Sequence, residues 1–156
     1  DPADPGVDMG TVIDEAAAIH CESRVNDAVA HGAKLLAGNV RQGALYAPTV
    51  IDHVDPAMDV VRTETFGPVS PVIRFDTIED AIRIANGTAY GLSSSVCTNR
   101  LDYVTRFVAE LHVGTVNVRE VPGYRLELET NQDGRVCFVL QQEEGQGSTP
   151  AATMRP

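Results

Sequence analysis

The sequence predicts an α/β fold in which a parallel sheet is covered by helices. From residue 69 onwards, strand-like and helix-like segments alternate in the order strand, helix, strand, helix, strand, which is the pattern of consecutive β-α-β units. The chain has 156 residues, of which 43% are apolar, so it is long enough to bury one core. Ligands of such sheets are expected near the carboxyl ends of the strands.

The first predicted element is an amphipathic helix over residues 14–34. Apolar residues recur there at three- and four-residue spacing, polar residues such as Arg24 stand between them, and Gly32 ends the pattern. The apolar positions are Ala17, Cys21, Val25, Ala28 and Val29.

Two strands are predicted next, over residues 34–37 and 45–51. Pro48 interrupts the second and has no N–H to give to a ladder, so we expect this strand at a sheet edge. Residues 52–65 read as a loop, and the β-branched run over 69–75 predicts a further strand.

A second helix begins at Thr77, which forms a capping-box pattern with Asp80, and ends at Asn86 and Gly87. A strand is predicted over 92–97, a helix over 100–111 and a last strand over 115–118. The apolar face of the helix that begins at Thr77 consists of Ile78, Ala81, Ile82 and Ala85.

The two ends of the chain differ from this pattern. Numbering begins at Asp1 with a loop-like segment, and we expect an upstream region to be missing. We predict a domain over 1–128 and a divergent tail over 129–156, with one strand at 135–140 and disorder after it, because residues 141–156 have little to bury.

Composition excludes several classes of function. The net charge of −10 disfavours contact with a nucleic-acid backbone. No apolar run approaches the ~20 residues that a membrane span needs. The three cysteines are odd in number and have no Cys-x-x-Cys spacing, which favours a reducing compartment, so we expect a cytoplasmic protein.

Most catalytic patterns are missing as well. There is no phosphate-binding glycine loop and no Gly-x-Ser-x-Gly motif. The four histidines lack a zinc-site pairing, so no metal site is expected. Cys21 and Cys97 are interpreted as small fillers of a helix face and a buried strand, and no residue of this chain is predicted to be catalytic.

One segment has residues that suit a ligand-binding site. Glu64, Phe66, Gly67 and Pro68 combine a carboxylate, an aromatic ring and a rigid turn just before a predicted core strand. This combination fits a sugar hydroxyl and a flat ring. The alternative is a simple turn with a solvated glutamate and a packed phenylalanine.

With this motif, the chain resembles the C-terminal part of the catalytic half of the NAD(P)-dependent aldehyde dehydrogenase superfamily. Other family-like motifs occur in order over residues 1–128, at 4–10, 32–38, 47–50, 89–93 and 114–117. The resemblance implies that Glu64 holds the hydroxyls of the nicotinamide ribose and that Phe66 packs beside the nicotinamide of NAD or NADP. Thr63 stands where the family more often has an acidic residue.

In this family a cysteine thiolate attacks the aldehyde, hydride passes to the cofactor, and glutamate-activated water hydrolyses the thioester. The nucleophile and the general base lie upstream of the matched region. The resemblance therefore implies a fragment that is inactive alone and binds cofactor weakly or not at all, while the parent enzyme takes a small-molecule aldehyde.

Residues 117–128 resemble the branch that includes phosphonoacetaldehyde and lactaldehyde dehydrogenases. Arg119, Tyr124 and Arg125 are candidates there for contacting an anionic substrate, and the alternative is that they are structural. After residue 128 the family motif stops abruptly, as in a frameshifted, spliced or recombined terminus. The alternative is simple divergence of the tail.

A rival hypothesis is a non-catalytic module that associates with a partner or forms a homo-oligomer through apolar surface left bare. A third is that residues 135–140 supply a replacement strand.

Overall fold

The computed structural model describes residues 4–119. They form two compact units, one that runs to Phe75 and one that starts at Asp76. The mixed α/β composition confirms the predicted fold class. The predicted boundary at residue 128, the strand at 135–140 and the tail lie outside the described residues.

The first unit contains two helices and five strands. In chain order they are α1 (Glu15–Ala30), β1 (Lys34–Ala37), β2 (Arg41–Gln42), β3 (Leu45–Tyr46), β4 (Thr49–Asp52), α2 (Asp59–Arg62) and β5 (Val69–Pro71).

Helix α1 begins where the sequence predicts, because the Asp14 carboxylate accepts a hydrogen bond of 2.7 Å from the Ala17 amide. It ends at Ala30, four residues earlier than predicted, and Gly32 follows with φ of +107°. The buried positions are Ala18, Cys21, Val25 and Ala28. The buried residue is therefore Ala18 and not the predicted Ala17, and Val29, predicted on the apolar face, is exposed.

A three-stranded sheet in the order β1-β4-β5 packs against α1. Strand β4 pairs with β5 in parallel and with β1 in antiparallel. The edge position predicted for the strand after Pro48 is wrong, since β4 is central. Pro48 precedes the first ladder residue, Thr49, so its missing N–H costs the sheet nothing.

Two buried clusters fill this unit. The larger joins α1, β4 and α2, and the smaller places Ala18 and Cys21 against Tyr46. The Tyr46 hydroxyl donates to Asn39 Oδ1 at 2.8 Å, so its polar end is satisfied. The larger cluster consists of Val25, Ala28, Ala33, Ile51, Val54 and Val60.

Helix α2 lies inside the predicted loop 52–65. Its four residues are too few to give a helical periodicity in the sequence, and its first residue is preceded by Met58, which makes no side-chain cap. Val60 is nevertheless buried, so packing against α1 stabilises the turn.

The second unit contains α3 (Ile78–Ala85), β6 (Ser93–Val96), α4 (Leu101–Glu110) and β7 (Thr115–Val118). The Thr77 hydroxyl accepts from the Asp80 amide at 3.1 Å, which confirms the predicted cap of α3. Strands β6 and β7 pair in parallel around the crossover helix α4, as predicted. The prediction that the strand from residue 69 joins the same sheet is wrong, because β5 pairs with β4 instead.

Arg106 on α4 ties the two helices of this unit together. Its guanidinium contacts Glu79 of α3 and pairs with Glu110 one turn along α4, where Nε lies 2.7 Å from Oε1. The neighbouring carboxylates raise the pKa of Arg106. Among residues 4–119, no helix is long and apolar enough to cross a membrane.

Candidate functional site

The 63–68 loop connects α2 to β5 and carries both predicted cofactor contacts. Glu64 is exposed, and Phe66 is 79% exposed. The alternative interpretation of a packed phenylalanine is therefore wrong. Phe66 has φ of +46°, a left-handed conformation that costs a residue with a β-carbon roughly 1–2 kcal/mol. The surrounding structure must hold this backbone in place.

Helix α1 supplies the main anchor of the loop. Arg24 Nη1 donates to the main-chain carbonyl of Glu64 at 2.6 Å and lies 3.5 Å from the Thr65 hydroxyl. The Arg24 side chain is only 18% exposed, whereas Glu64 is exposed. A charged donor makes a stronger hydrogen bond to a carbonyl than a neutral donor does.

Asp59 of α2 orients this arginine. Its Oδ2 lies 3.2 Å from Arg24 Nε, while its Oδ1 accepts from the Thr63 hydroxyl at 2.7 Å. One carboxylate thus joins α1, α2 and the first residue of the loop. Thr63, the residue that departs from the family pattern, is accommodated here as a donor to Asp59.

The loop also packs closely on α1 at Gly67. A β-carbon at this position would lie 2.3 Å from Cys21 Sγ, so only glycine fits without a shift. Cys21 Sγ also lies 3.9 Å from the Thr65 carbonyl oxygen. Burial raises the pKa of the Cys21 thiol. Its complete burial beside Ala18 and Tyr46 confirms its interpretation as a small residue that fills the helix face.

The end of the loop is fixed by the sheet. The Pro68 carbonyl accepts from the Thr49 amide at 2.8 Å, immediately before Val69 pairs with Thr49. The loop is thus held on one side by α1 and α2 and at its end by β4. Its exposed carboxylate and ring suit a ribose hydroxyl and a planar heterocycle.

The other predicted site residues lie outside the first unit. Arg119 follows β7 in the second unit, is exposed, has φ of +57° and donates its amide to the Val96 carbonyl at 2.8 Å. Tyr124 and Arg125 lie outside the described residues. Within 4–119, no group of three His, Cys, Asp or Glu side chains has the geometry to hold a metal ion.

Cys97 departs from its prediction. The pattern predicts a filler of a buried strand, but β6 ends at Val96 and Cys97 is exposed. The sequence over 92–97 does not reveal where the ladder stops.

Sequence reasoning also missed the anchors of the loop, Arg24 and Gly67. The only available indication was that Cys21 and Arg24 stand three residues apart, so they lie on one side of a helix. Nothing in the sequence relates that side to a loop some 40 residues later.

The α/β elements and the anchored Glu-x-Phe-Gly-Pro loop are features by which the chain resembles the aldehyde dehydrogenase superfamily. Comparison with known proteins identifies the family. The family model for the aldehyde dehydrogenase family matches residues 1–132, and the chain belongs to that family.

Two relatives with assigned functions are dehydrogenases by name. The chain is 35% identical over 153 residues to 3,6-anhydro-alpha-L-galactose dehydrogenase of Vibrio sp. (strain EJY3), covering 88% of this chain and 32% of the relative. It is 43% identical over 118 residues to the mitochondrial succinate-semialdehyde dehydrogenase of Arabidopsis thaliana, covering 74% and 22%.

Solved structures have the same fold. Aldehyde dehydrogenase 21 of Physcomitrella patens, solved with the reaction product succinate, matches with a TM-score of 0.77 and 33% identity over 83% of this chain and 27% of that one. The NADP complex of glyceraldehyde-3-phosphate dehydrogenase GapN from Methanocaldococcus jannaschii gives a TM-score of 0.75 and 38% identity over 80% and 27%. The chain spans 22–32% of the length of the curated relatives that it matches.

Proposed function

We propose that this chain supplies the nicotinamide-side contacts of an NAD(P)-dependent aldehyde dehydrogenase. Glu64 binds the ribose hydroxyls of the cofactor, and Phe66 packs beside its nicotinamide ring. The observation that carries the proposal is that both side chains are exposed on a loop whose backbone is tied to α1 by Arg24. When bound, the cofactor accepts the hydride released as an aldehyde becomes an acid.

The residues present fit such a group. A carboxylate accepts hydrogen bonds from two neighbouring hydroxyls, and an exposed ring offers a flat apolar face. Relatives use either cofactor form: a benzaldehyde dehydrogenase of Pseudomonas putida, 38% identical over 122 residues, is named for NAD(+), and the GapN structure contains NADP. Both forms, NAD and NADP, are therefore candidates for this chain.

The proposal is tested by titrating NAD and NADP into the 156-residue chain with calorimetry as the readout. We expect weak binding, in the high micromolar to millimolar range, because one loop provides few of the contacts of a dinucleotide site. Glu64→Gln and Phe66→Ala should each reduce the affinity.

Two variants serve as matched controls. Asp8→Asn removes an exposed carboxylate and Phe75→Ala removes an exposed ring, 58% accessible, and neither residue belongs to the 63–68 loop. Both should bind as the unmodified chain does. Binding that is unaffected by Glu64→Gln and Phe66→Ala would contradict the proposal, and so would the absence of binding by a folded chain.

We propose that the isolated chain does not turn over aldehydes, because the resemblance places the family's nucleophile upstream of the residues that this chain matches. Loss of a catalytic nucleophile costs several orders of magnitude in rate. An assay with NAD and small aldehydes tests this. Turnover that Cys97→Ser abolishes would contradict it, since Cys97 is the exposed cysteine of the described residues.

For the substrate, we propose a small anionic or hydroxylated aldehyde of the lactaldehyde and phosphonoacetaldehyde branch, contacted by Arg119, Tyr124 and Arg125. Similarity to the lactaldehyde dehydrogenase of Methanococcus maripaludis, 32% identical over 80% of this chain, supports the branch. Phosphonoacetate is the matching product, and its titration against Arg119→Ala tests the contact. Equal binding by the variant and the unmodified chain would contradict it.

A second candidate function is self-association through β1. All four residues of this strand are exposed, including Leu35 and Leu36 at 43% and 61%, and the strand pairs with β4. Exposed apolar residues on a strand favour contact between chains. Sedimentation velocity should then show a dimer that Leu36→Lys disrupts, and a strictly monomeric chain would exclude this function.

A cytoplasmic location remains a proposal. It is supported by the two free cysteines among the described residues, Cys21 and Cys97, which suit a reducing compartment. Cell fractionation tests it, and recovery from a secreted or membrane fraction would contradict it.

A further inference from the structure

We propose that Arg24 is the positioning residue of the cofactor site, and that it acts by holding the main chain of Glu64. This inference rests on the proposed function, because it assigns a role to α1 in a site whose contacting residues lie on the 63–68 loop. Arg24 is too shielded, at 18% exposure, to be one of the exposed contacts itself. Its role is to act through the Glu64 backbone.

The contacts of Arg24 differ from those of Arg41, Arg74 and Arg106, which pair with carboxylate side chains. Arg24 pairs with Asp59 through Nε and, through Nη1, also donates to the Glu64 carbonyl at 2.6 Å. The bond to the carbonyl fixes a backbone, whereas a bond to a flexible carboxylate fixes only a side chain.

The geometry requires arginine in particular. The planar guanidinium directs Nε and Nη1 at fixed angles, so one side chain can contact α2 and the loop at the same time. The ammonium of lysine is a single point on a flexible stem and does not reproduce this spacing. Asp59, which accepts a hydrogen bond from Thr63, keeps the Arg24 guanidinium oriented towards the loop.

Fixing the Glu64 carbonyl also constrains the next two residues of the loop. The carbonyl belongs to the rigid peptide plane between residues 64 and 65. Thr65 is itself held, with its carbonyl oxygen 3.9 Å from Cys21 Sγ, and Phe66 is in the left-handed region at φ of +46°. Release of the carbonyl would let Phe66 relax, and the carboxylate and ring would lose their relative placement.

The chain contains no tryptophan, which allows a direct test of loop position without any cofactor. A Phe66→Trp chain carries a single indole on the loop. In this background we compare Arg24→Lys, Arg24→Met and Asp59→Asn by fluorescence anisotropy and acrylamide quenching. The matched control is Arg41→Lys, because Arg41 contacts Glu15 and Glu22 of the same helix instead of the loop.

We expect the two Arg24 variants to lower the anisotropy and raise quenching, Asp59→Asn to do so less, and Arg41→Lys to leave both unchanged. An unchanged indole signal in a folded Arg24→Met chain would overturn the inference. If Arg24→Met does not fold, Arg24→Lys and Asp59→Asn are used instead. An unchanged indole signal in both of these folded variants would then overturn the inference.

Cofactor affinity provides the second readout. In the chain that retains Phe66, Arg24→Lys should weaken NAD binding about tenfold, while its melting temperature stays equal to that of Arg41→Lys. Glu64→Gln should reduce NAD affinity less in the Arg24→Lys chain than in the unmodified chain, because the two residues act through one contact. Full additivity would mean that Arg24 is merely structural.

The two proposals fail in different ways. If the unmodified chain binds no NAD, the proposed function fails, and the indole measurements still decide whether Arg24 positions the loop. If NAD binds and Arg24→Lys changes neither affinity nor anisotropy, the proposed function stands and the positioning role is overturned.

Discussion

Gly67 approaches Cys21 so closely that a β-carbon on the glycine would lie 2.3 Å from Sγ. The cysteine is fully buried on the inner face of α1, and the glycine belongs to the 63–68 loop, so this contact sets the distance between helix and loop. Because no positive φ is involved at Gly67, the restriction at this position comes from space alone.

Gly67→Ala should therefore lower the free energy of unfolding by about 1–3 kcal/mol, the usual cost of overpacking. Urea denaturation measures it. Gly6→Ala is the matched control, since a β-carbon there meets its nearest atom at 3.5 Å. Combining Gly67→Ala with Cys21→Ala should recover part of the loss, because the sulfur is the obstructing atom. Strict additivity of the two substitutions would show that the obstruction lies elsewhere.

The two described cysteines should differ in reactivity towards a maleimide. Cys97 is exposed, whereas burial shields Cys21 and raises its pKa, so the native chain should react at Cys97 about 100-fold faster. The measurement is made on a Cys137→Ser chain so that two thiols remain, with Cys97→Ser as the control that removes the fast phase. Equal rates for both thiols would argue against the burial of Cys21.

Stability at acid pH should depend on Asp52. This carboxylate accepts from Arg74 Nε at 3.1 Å and from the His53 amide at 2.7 Å, and Arg74 lowers its pKa to about 2. Because the folded pKa lies below the ordinary value of 3.8, the contribution is complete above about pH 4 and is lost as the pH falls towards 2.

The measurement is the free energy of unfolding against pH for the unmodified chain and for Asp52→Asn. The difference between the two should be constant above about pH 4 and shrink below it. Arg74→Met removes the main cause of the lowered Asp52 pKa. In that chain, the contribution of Asp52 to the free energy of unfolding should vary less with pH. A difference that stays constant from about pH 5 to pH 2 would be the contrary result.

The cap of α3 gives a local stability test. Thr77→Ala removes the oxygen that accepts from the Asp80 amide at 3.1 Å and should cost about 1 kcal/mol. Thr77→Ser keeps the oxygen and should cost much less. Hydrogen exchange at the Asp80 amide reports the change directly, and equal exchange in both variants would rule out the cap as a stabilising contact.

The sequence by itself determined the elements that depend on neighbours along the chain. Asp14 and Thr77 accept from amides three residues later, so the helix starts could be predicted. The α/β class, the parallel pair of β6 and β7 and the Glu64–Phe66 motif were also visible, because periodicity and turn chemistry are local properties.

Only the tertiary structure decided the rest. It placed β4 at the centre of its sheet, formed α2, exposed Cys97 and laid Arg24 against the Glu64 carbonyl. These features depend on contacts between residues far apart in the chain, which composition and spacing do not encode. A strand pattern indicates that residues pair but not which strand they meet, and a polar residue on a helix does not state which carbonyl it will contact once the chain has folded.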